Sequence, residues 1–257
     1  HDITFDKTAL FHGSEVPEVI ENFRTPKFDL DSVYGGGPAV ASHLYESDGA
    51  TLLLANNSPI EGESDLLRNG VEATIGDRRN DSNLIISQLH VAFMKFHNKI
   101  VESMGSRGGN TFDRFSAARE IVRQHFQWIV LHEFLPLIAG EDAVASGLEI
   151  QHQAFNTAAK TKLPTELDSS EMAFDIRGGV YMPFEFSIAA FRFGHSMVRH
   201  EYFINQSFGS LVFIFDSTKP DDDNAMDLRG FRARPKGMKI DWSLFFDKVS
   251  VGAAKSR

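Results

Sequence analysis

Apolar residues recur every three or four positions from about residue 81 to 104, at Ile85, Leu89, Phe93, Phe96 and Ile100. That spacing lays one stripe along an α-helix and fits no strand. Asp81 or Ser82 is placed to cap its start, and the pattern runs to about Met104. A second helix is expected from about Phe112 to Leu135, with Ala118, Val122, Phe126 and Ile129 beside Ala117, Ile121 and Leu131. Pro136 is expected to end it, because proline lacks an N–H and its ring clashes with the preceding turn. A third reads from near Pro183 to about Val198, through Phe184, Ile188, Phe191 and His195.

The stretches between them read differently. Residues 25–70 carry Thr25-Pro26, Gly35-Gly36-Gly37-Pro38 and Asn56-Asn57-Ser58-Pro59, all turn chemistry. An irregular region of that length inside a domain calls for a ligand or ion to organise it. Pro17 leads into a short helix around Glu18–Phe23, Tyr202–Phe215 reads as extended or irregular, and Asp221-Asp222-Asp223-Asn224 as a solvated loop. With no repeat and no domain boundary, residues 1–257 read as a single domain, mainly α, with long loops and little strand.

Composition removes several function classes. Lys and Arg number 26 against 35 Asp and Glu, for a net charge of −9. No basic field favours nucleic acid or an anionic membrane. No apolar run approaches the roughly 20 residues of a transmembrane segment. There is no cysteine, which excludes disulfides, thiolate zinc, cysteine-held iron–sulfur clusters, thiolate haem and C-x-x-C-H attachment. Phe (23) far outnumbers Tyr (4) and Trp (2), the mark of a large apolar interior that needs no hydrogen-bond partner.

Three segments could carry chemistry. In Thr25–Ser32, Asp29 and Asp31, a Thr hydroxyl and backbone carbonyls offer hard oxygen ligands suited to Ca²⁺, although an acidic surface turn has the same composition. In Gly76–Asp81, arginines precede a helix, where the dipole disfavours them. That points either to a functional arginine or to pairing with Asp77 or Asp81. In Phe191–Arg199, His195 sits among phenylalanines. It is either a satisfied core histidine or an axial ligand, since a neutral imidazole in an apolar pocket is what a haem iron takes. His195 and His200 are five apart, His90 and His97 are seven apart, and Leu131-His132-Glu133 lacks a second histidine. A zinc hydrolase gains no support from these spacings, and His90 and His97 read as core or surface residues.

Taken in order, the segments resemble the animal-type haem peroxidases of the peroxidase–cyclooxygenase superfamily, in wording most like the bacterial branch. The resemblance is carried by His1-Asp2-Ile3-Thr4-Phe5-Asp6, Thr25 through Pro38, Ile75 through Asp81, and Gln88-Leu89-His90. Phe96-His97-Asn98-Lys99, Ala190 through His195 and Asp241 through Phe246 complete it. It implies a helical peroxidase domain, of which these residues are part, with haem b and Ca²⁺ as cofactors. His1 falls on the distal histidine, Arg79 on the distal arginine and His195 on the proximal iron ligand. Asp2, Thr25, Asp29 and Asp31, with the carbonyl of Lys27, fall on the calcium ligands. Ser82 stands where the family has an ester-forming carboxylate, so no ester through residue 82 is expected.

The implied reaction is reduction of hydrogen peroxide and oxidation of a small organic or halide donor, a chemistry tied to oxidative stress. His1 would move the proton, and Arg79 would stabilise charge as the O–O bond breaks. Arg192 stands where oxygenase members have a radical-forming tyrosine. That argues against fatty-acid dioxygenation by that route; a haem-dependent fatty-acid oxygenase of the same superfamily is kept as the alternative, together with a haem- and calcium-binding fragment without turnover. The resemblance leans toward a secreted or periplasmic protein.

Overall fold

The computed structural model describes residues 28–55, 64–105, 111–160, 189–220, 222 and 225–246. The expected helix around Glu18–Phe23 and the start of the third helix, 183–188, lie outside these residues. The chain groups into two compact units: residues 30–125 with 199–257, and residues 1–29 with 126–198.

The larger unit is organised by two helices. The first of its long helices, which follows the four-residue α1 (Asp31–Tyr34), is α2 (Leu84–Met104). Its cap is Asn83, whose side-chain oxygen accepts from the Ile85 amide at 2.9 Å. Neither Asp81 nor Ser82 fills that role, because the Asp81 carboxylate is already engaged by Arg68. The buried face of α2 is also turned one position from the expected stripe: Leu84, Ser87, Gln88, His90, Val91, Met94, His97 and Val101 point inward. Ile85, Phe93 and Ile100 pack at the flank of the core. The two histidines explain the rotation, since each supplies ring surface and finds a polar partner inside. His97 is fully buried, with Nε2 2.9 Å from the Ala50 carbonyl and Nδ1 3.2 Å from the Tyr34 hydroxyl.

Helix α3 (Thr111–Ile129) sends Phe115, Ala118 and Val122 into the same core, against Val33, Tyr34, Leu44 and Leu52. The described residues of the stretch 25–70, expected to be mostly irregular, include α1, a 3-10 turn at Ser42–Leu44 and two-residue strands. β1 (Leu54–Ala55) pairs with β2 (Asp65–Leu66), and β3 (Arg68–Asn69) pairs with β4 (Glu72–Ala73), both antiparallel. The segment expected to be extended or irregular after residue 201 is a hairpin, β5 (Glu201–Phe203) on β6 (Leu211–Phe213), with Glu201 opposite Phe213. Its Val212 joins Ile204, Leu228, Met238 and Ile240 in a second core around Leu84.

In the smaller unit α3 does not stop at Pro136. A π-turn at Val130–Phe134 follows it, with the Leu135 amide donating to the Val130 carbonyl, and α4 (Leu135–Ala139) begins with the proline in its first turn. The wider turn absorbs the ring that would break a regular α-helix, and a first-turn position needs no N–H. After Gly140, with φ of 87°, comes α5 (Glu141–Lys160), to which the sequence reading assigned no element. Its described side chains are almost all exposed, so no apolar stripe announces it. The third expected helix is a 3-10 segment, Ala190–Met197. The fold is mainly α with little strand, as expected, and among the described residues no helix is long and apolar enough to cross a membrane.

Removing the α2 cap with Asn83→Ala should lower unfolding free energy by about 1 kcal/mol, read as a shift in the urea midpoint with an unchanged slope.

Candidate active site

Residues Arg78–Asp81 form one 3-10 turn immediately before α2. Asp77 caps it, accepting from the Arg79 amide at 3.0 Å. The same carboxylate grips the Arg79 guanidinium, with Nε 3.0 Å from Oδ1 and Nη2 2.6 Å from Oδ2. Asp77 thereby cancels the unfavourable placement of an arginine ahead of a helix N-terminus. Arg79 keeps 30 % of its side chain exposed, whereas Arg78 points into solvent and approaches Glu72 at 3.9 Å.

The turn is held from three further sides. Arg68 makes a two-pronged bond to Asp81, both contacts 2.6 Å, with side chains 8 % and 2 % exposed. Asn80 Nδ2 lies 2.9 Å from Nδ1 of His90, which projects from the inner face of α2. The segment 228–231 closes the remaining side. Phe231 N donates to Asp81 O at 2.8 Å, Gly230 N to Ser82 O at 3.3 Å, and Leu84 N to Leu228 O at 2.8 Å. Gly230 is obligatory there, because a Cβ would overlap the Asp81 carbonyl oxygen.

That closing segment has its own anchor in Asp227, which is 1 % exposed and bonded by Arg229 and Arg232. Burial alone would raise the Asp227 pKa, but hydrogen bonds from Arg229 and from the Asp216 and Arg229 amides hold it below the ordinary carboxylate value. Gly76, at the entrance to the Arg79 turn, packs on the opposite loop. A Cβ there would stand 2.8 Å from Ser32 O and 2.9 Å from Gly35 N.

Of the expected calcium ligands, Asp29 and Asp31 are described, while Asp2, Thr25 and Lys27, and with them the expected distal histidine His1, lie outside the described residues. The two aspartates flank Leu30, which takes a left-handed conformation at φ 58° and ψ 34°. Its carbonyl accepts from Val33 N and Tyr34 N at 2.9 and 3.1 Å. A left-handed branched residue is held only where its surroundings over-determine it. In the smaller unit, Gln127 Nε2 donates to the Phe28 carbonyl at 3.0 Å, and the Phe28 ring meets Phe126 edge-on. Among the described residues no three acidic or histidine side chains converge into a metal cluster.

His195 belongs to the smaller unit and Arg79 to the larger. On the 3-10 segment Ala190–Met197, His195 Nδ1 lies 2.8 Å from the Arg192 carbonyl. A carbonyl only accepts, so Nδ1 carries the proton and Nε2 presents its lone pair. Phe191, Phe193, Met197 and Val198 around it are exposed. His195 itself is exposed.

These segments can be set beside known proteins. A family model described as animal haem peroxidase matches residues 5–229. The chain belongs to the animal haem peroxidase family. It is 26 % identical to peroxidasin of Drosophila melanogaster over 214 residues, covering 74 % of this chain and 12 % of that protein. To the peroxidasin homolog pxn-1 of Caenorhabditis elegans it is 24 % identical over 229 residues, 78 % of this chain and 16 % of that protein. A peroxidasin homolog of Caenorhabditis briggsae gives 24 % identity over the same length. The chain spans less than a fifth of the curated relatives it matches.

Arg68 and Gly230 around the Arg79 turn went unremarked in the sequence, and Asn80 and His90 were named there without these contacts. The one signal available for them was the seven-residue spacing of His90 and His97 inside an apolar helix, which puts both on one face.

Two outcomes follow from this packing. Asp81→Ala strands Arg68 in the interior and should destabilise the fold by about 3–5 kcal/mol, measured by urea unfolding. His90 is held down from 6.5 to about 4 by burial, against the opposing pull of the Asp77 carboxylate. The unfolded chain therefore binds the proton first. Stability is complete above pH 6.5 and falls as pH drops toward 4, by at most about 1.4 kcal/mol per unit from this group. His90→Leu should remove that share of the slope in unfolding curves taken between pH 4 and 7.

Proposed function

We propose that residues 1–257 are part of a single haem peroxidase domain that reduces hydrogen peroxide and oxidises a small organic or halide donor. The observation that carries this reading is the state of His195: a protonated Nδ1 tied to a backbone carbonyl, an available Nε2, and an exposed apolar surface on the same segment. A carbonyl behind the ring is the usual support for a metal-bound histidine, fixing its tautomer and orientation. The apolar side chains suit the face of a flat, hydrophobic macrocycle. The donor set thus fits haem b bound through His195 Nε2. Ser82, a hydroxyl in place of a carboxylate, supports binding without an ester at that position.

Haem, when bound, supplies the redox chemistry, passing two electrons to peroxide and recovering them singly from the donor. The chain's residues do the rest. His1 takes the proton from the near peroxide oxygen and delivers it to the departing one, acid–base work suited to an imidazole. Arg79, charged at every relevant pH, offers positive charge where the O–O bond separates. Asp77 holds the guanidinium in one orientation, so that little reorganisation is left for the reaction itself. Asp2, Thr25, Asp29, Asp31 and the Lys27 carbonyl hold Ca²⁺, and the adjacency of Asp2 to His1 couples that ion to the distal base. The wording of the motifs supports the bacterial branch of the family.

Absorption spectroscopy of the chain reconstituted with haemin tests this. A Soret band that shifts on adding peroxide, absent in His195→Ala, is expected. Arg79→Ala should bind haem but lose about 10²–10³ in peroxide turnover. Unchanged turnover in Arg79→Ala would remove the distal assignment.

A further inference from the structure

The least explained polar group near the Arg79 turn is His90. Its side chain sits on the inner face of α2 and is 4 % exposed. The Asn80 amide nitrogen, 2.9 Å away, can only donate, so His90 Nδ1 accepts and the ring proton is on Nε2. That Nε2 is buried with no hydrogen-bond partner among the described residues. A buried N–H left unmade is destabilising, and an apolar residue of similar size would avoid the loss. The imidazole is therefore a poor choice for packing alone, and what distinguishes it from leucine here is the lone pair it turns toward Asn80.

Asn80 is the residue after Arg79, in the middle of a turn held by ion pairs, Asp77 on Arg79 and Arg68 on Asp81, and by backbone bonds from the Asn80 amide to the Asp77 carbonyl and from the Phe231 amide to the Asp81 carbonyl. The Asn80–His90 bond ties the side chain at the middle of the turn to the inner face of α2. Burial keeps the ring neutral, which keeps the accepting lone pair available at physiological pH.

We propose that His90 is a positioning residue for Arg79: its Nδ1, acting through Asn80, fixes the turn in the register that lets the Arg79 guanidinium grip Asp77. The inference rests on the reading of Arg79 as the distal arginine only for its catalytic meaning. The coupling itself is a property of the protein without haem.

The test uses the full 257-residue chain, ¹⁵N-labelled and haem-free, and follows the His90 ring nitrogens and the Arg79 Nε–H by NMR. In the wild type the His90 ring at pH 7 should be the Nε2-protonated tautomer. His90→Leu and Asn80→Ala should each speed exchange of the Arg79 Nε–H by roughly tenfold, the equivalent of one net hydrogen bond. His90→Gln, whose side-chain oxygen can accept from Asn80, should restore slow exchange. The thermal midpoint of His90→Leu should stay level or rise, because the unmade N–H is gone. A fall in midpoint with unchanged Arg79 exchange would assign His90 to packing and overturn the proposal, as would an Nδ1-protonated ring.

Should His90→Leu fail to fold, Asn80→Ala decides alone, since Asn80 is half-buried at the turn. Peroxide turnover of haem-loaded Arg79→Ala separates the two levels. Its failure to fall removes the peroxidase role of Arg79, while the haem-free exchange data still decide the His90 coupling.

Discussion

The ion pair between Arg68 and Asp81 is the constraint around which the larger unit is assembled. Both side chains are almost wholly buried and joined by two short bonds. A charge so placed is tolerable only with its partner in position. Fixing Asp81 fixes the C-terminal end of the Arg79 turn, and through Asn83 the start of α2. The β3–β4 hairpin that carries Arg68 and the segment 228–231 then have a single backbone to pack against. Gly230 makes the fit close enough that neither can shift without the other.

A second theme is the use of polar groups inside an apolar helix. His97 is satisfied at both ring nitrogens and serves as a bolt between α2, Tyr34 and the Ala50 carbonyl. Burial pushes its pKa down, against the pull of the Ala50 hydrogen bond and the Asp48 charge. His90, one heptad earlier, is satisfied at one nitrogen only. The same helix face thus carries one histidine whose hydrogen bonds close the core and one whose bond reaches out to the site.

Much of this was legible in the sequence where the signal was local. The periodicity from about 81 to 104 and from about 112 to 135 pointed to the two central helices, found at Leu84–Met104 and Thr111–Ile129, because a long amphipathic stripe has few other solutions. The glycine run at 35–37 marked a sharp reversal, and all three residues have positive φ. The Gly76–Asp81 segment and His195 stood out by residue type in context, and the choice of Arg79 within that segment came from the family resemblance. What was not legible depends on distant partners. The rotation of α2 came with His97 finding polar partners 47 and 63 residues away, the Ala50 carbonyl and the Tyr34 hydroxyl. The continuation past Pro136 came from a π-turn that no composition signals. α5 buries too little to leave a stripe, and the clamp on Asp81 pairs residues on opposite ends of the chain.

That last feature bears on how the protein is made. The Arg234 amide reaches the Asp65 carboxylate across 169 residues, and the backbone bonds from Leu228 and Phe231 to Leu84 and Asp81 span nearly as far. On a ribosome adding 5–20 residues per second, the interval between emergence of the Arg79 turn and of its clamp is roughly 10–30 s. Throughout it, the Arg68–Asp81 pair stands in water, where an exposed ion pair contributes little. The arginine turn is thus a late product of synthesis, completed only when the last strand of the hairpin and the residues beyond it have docked.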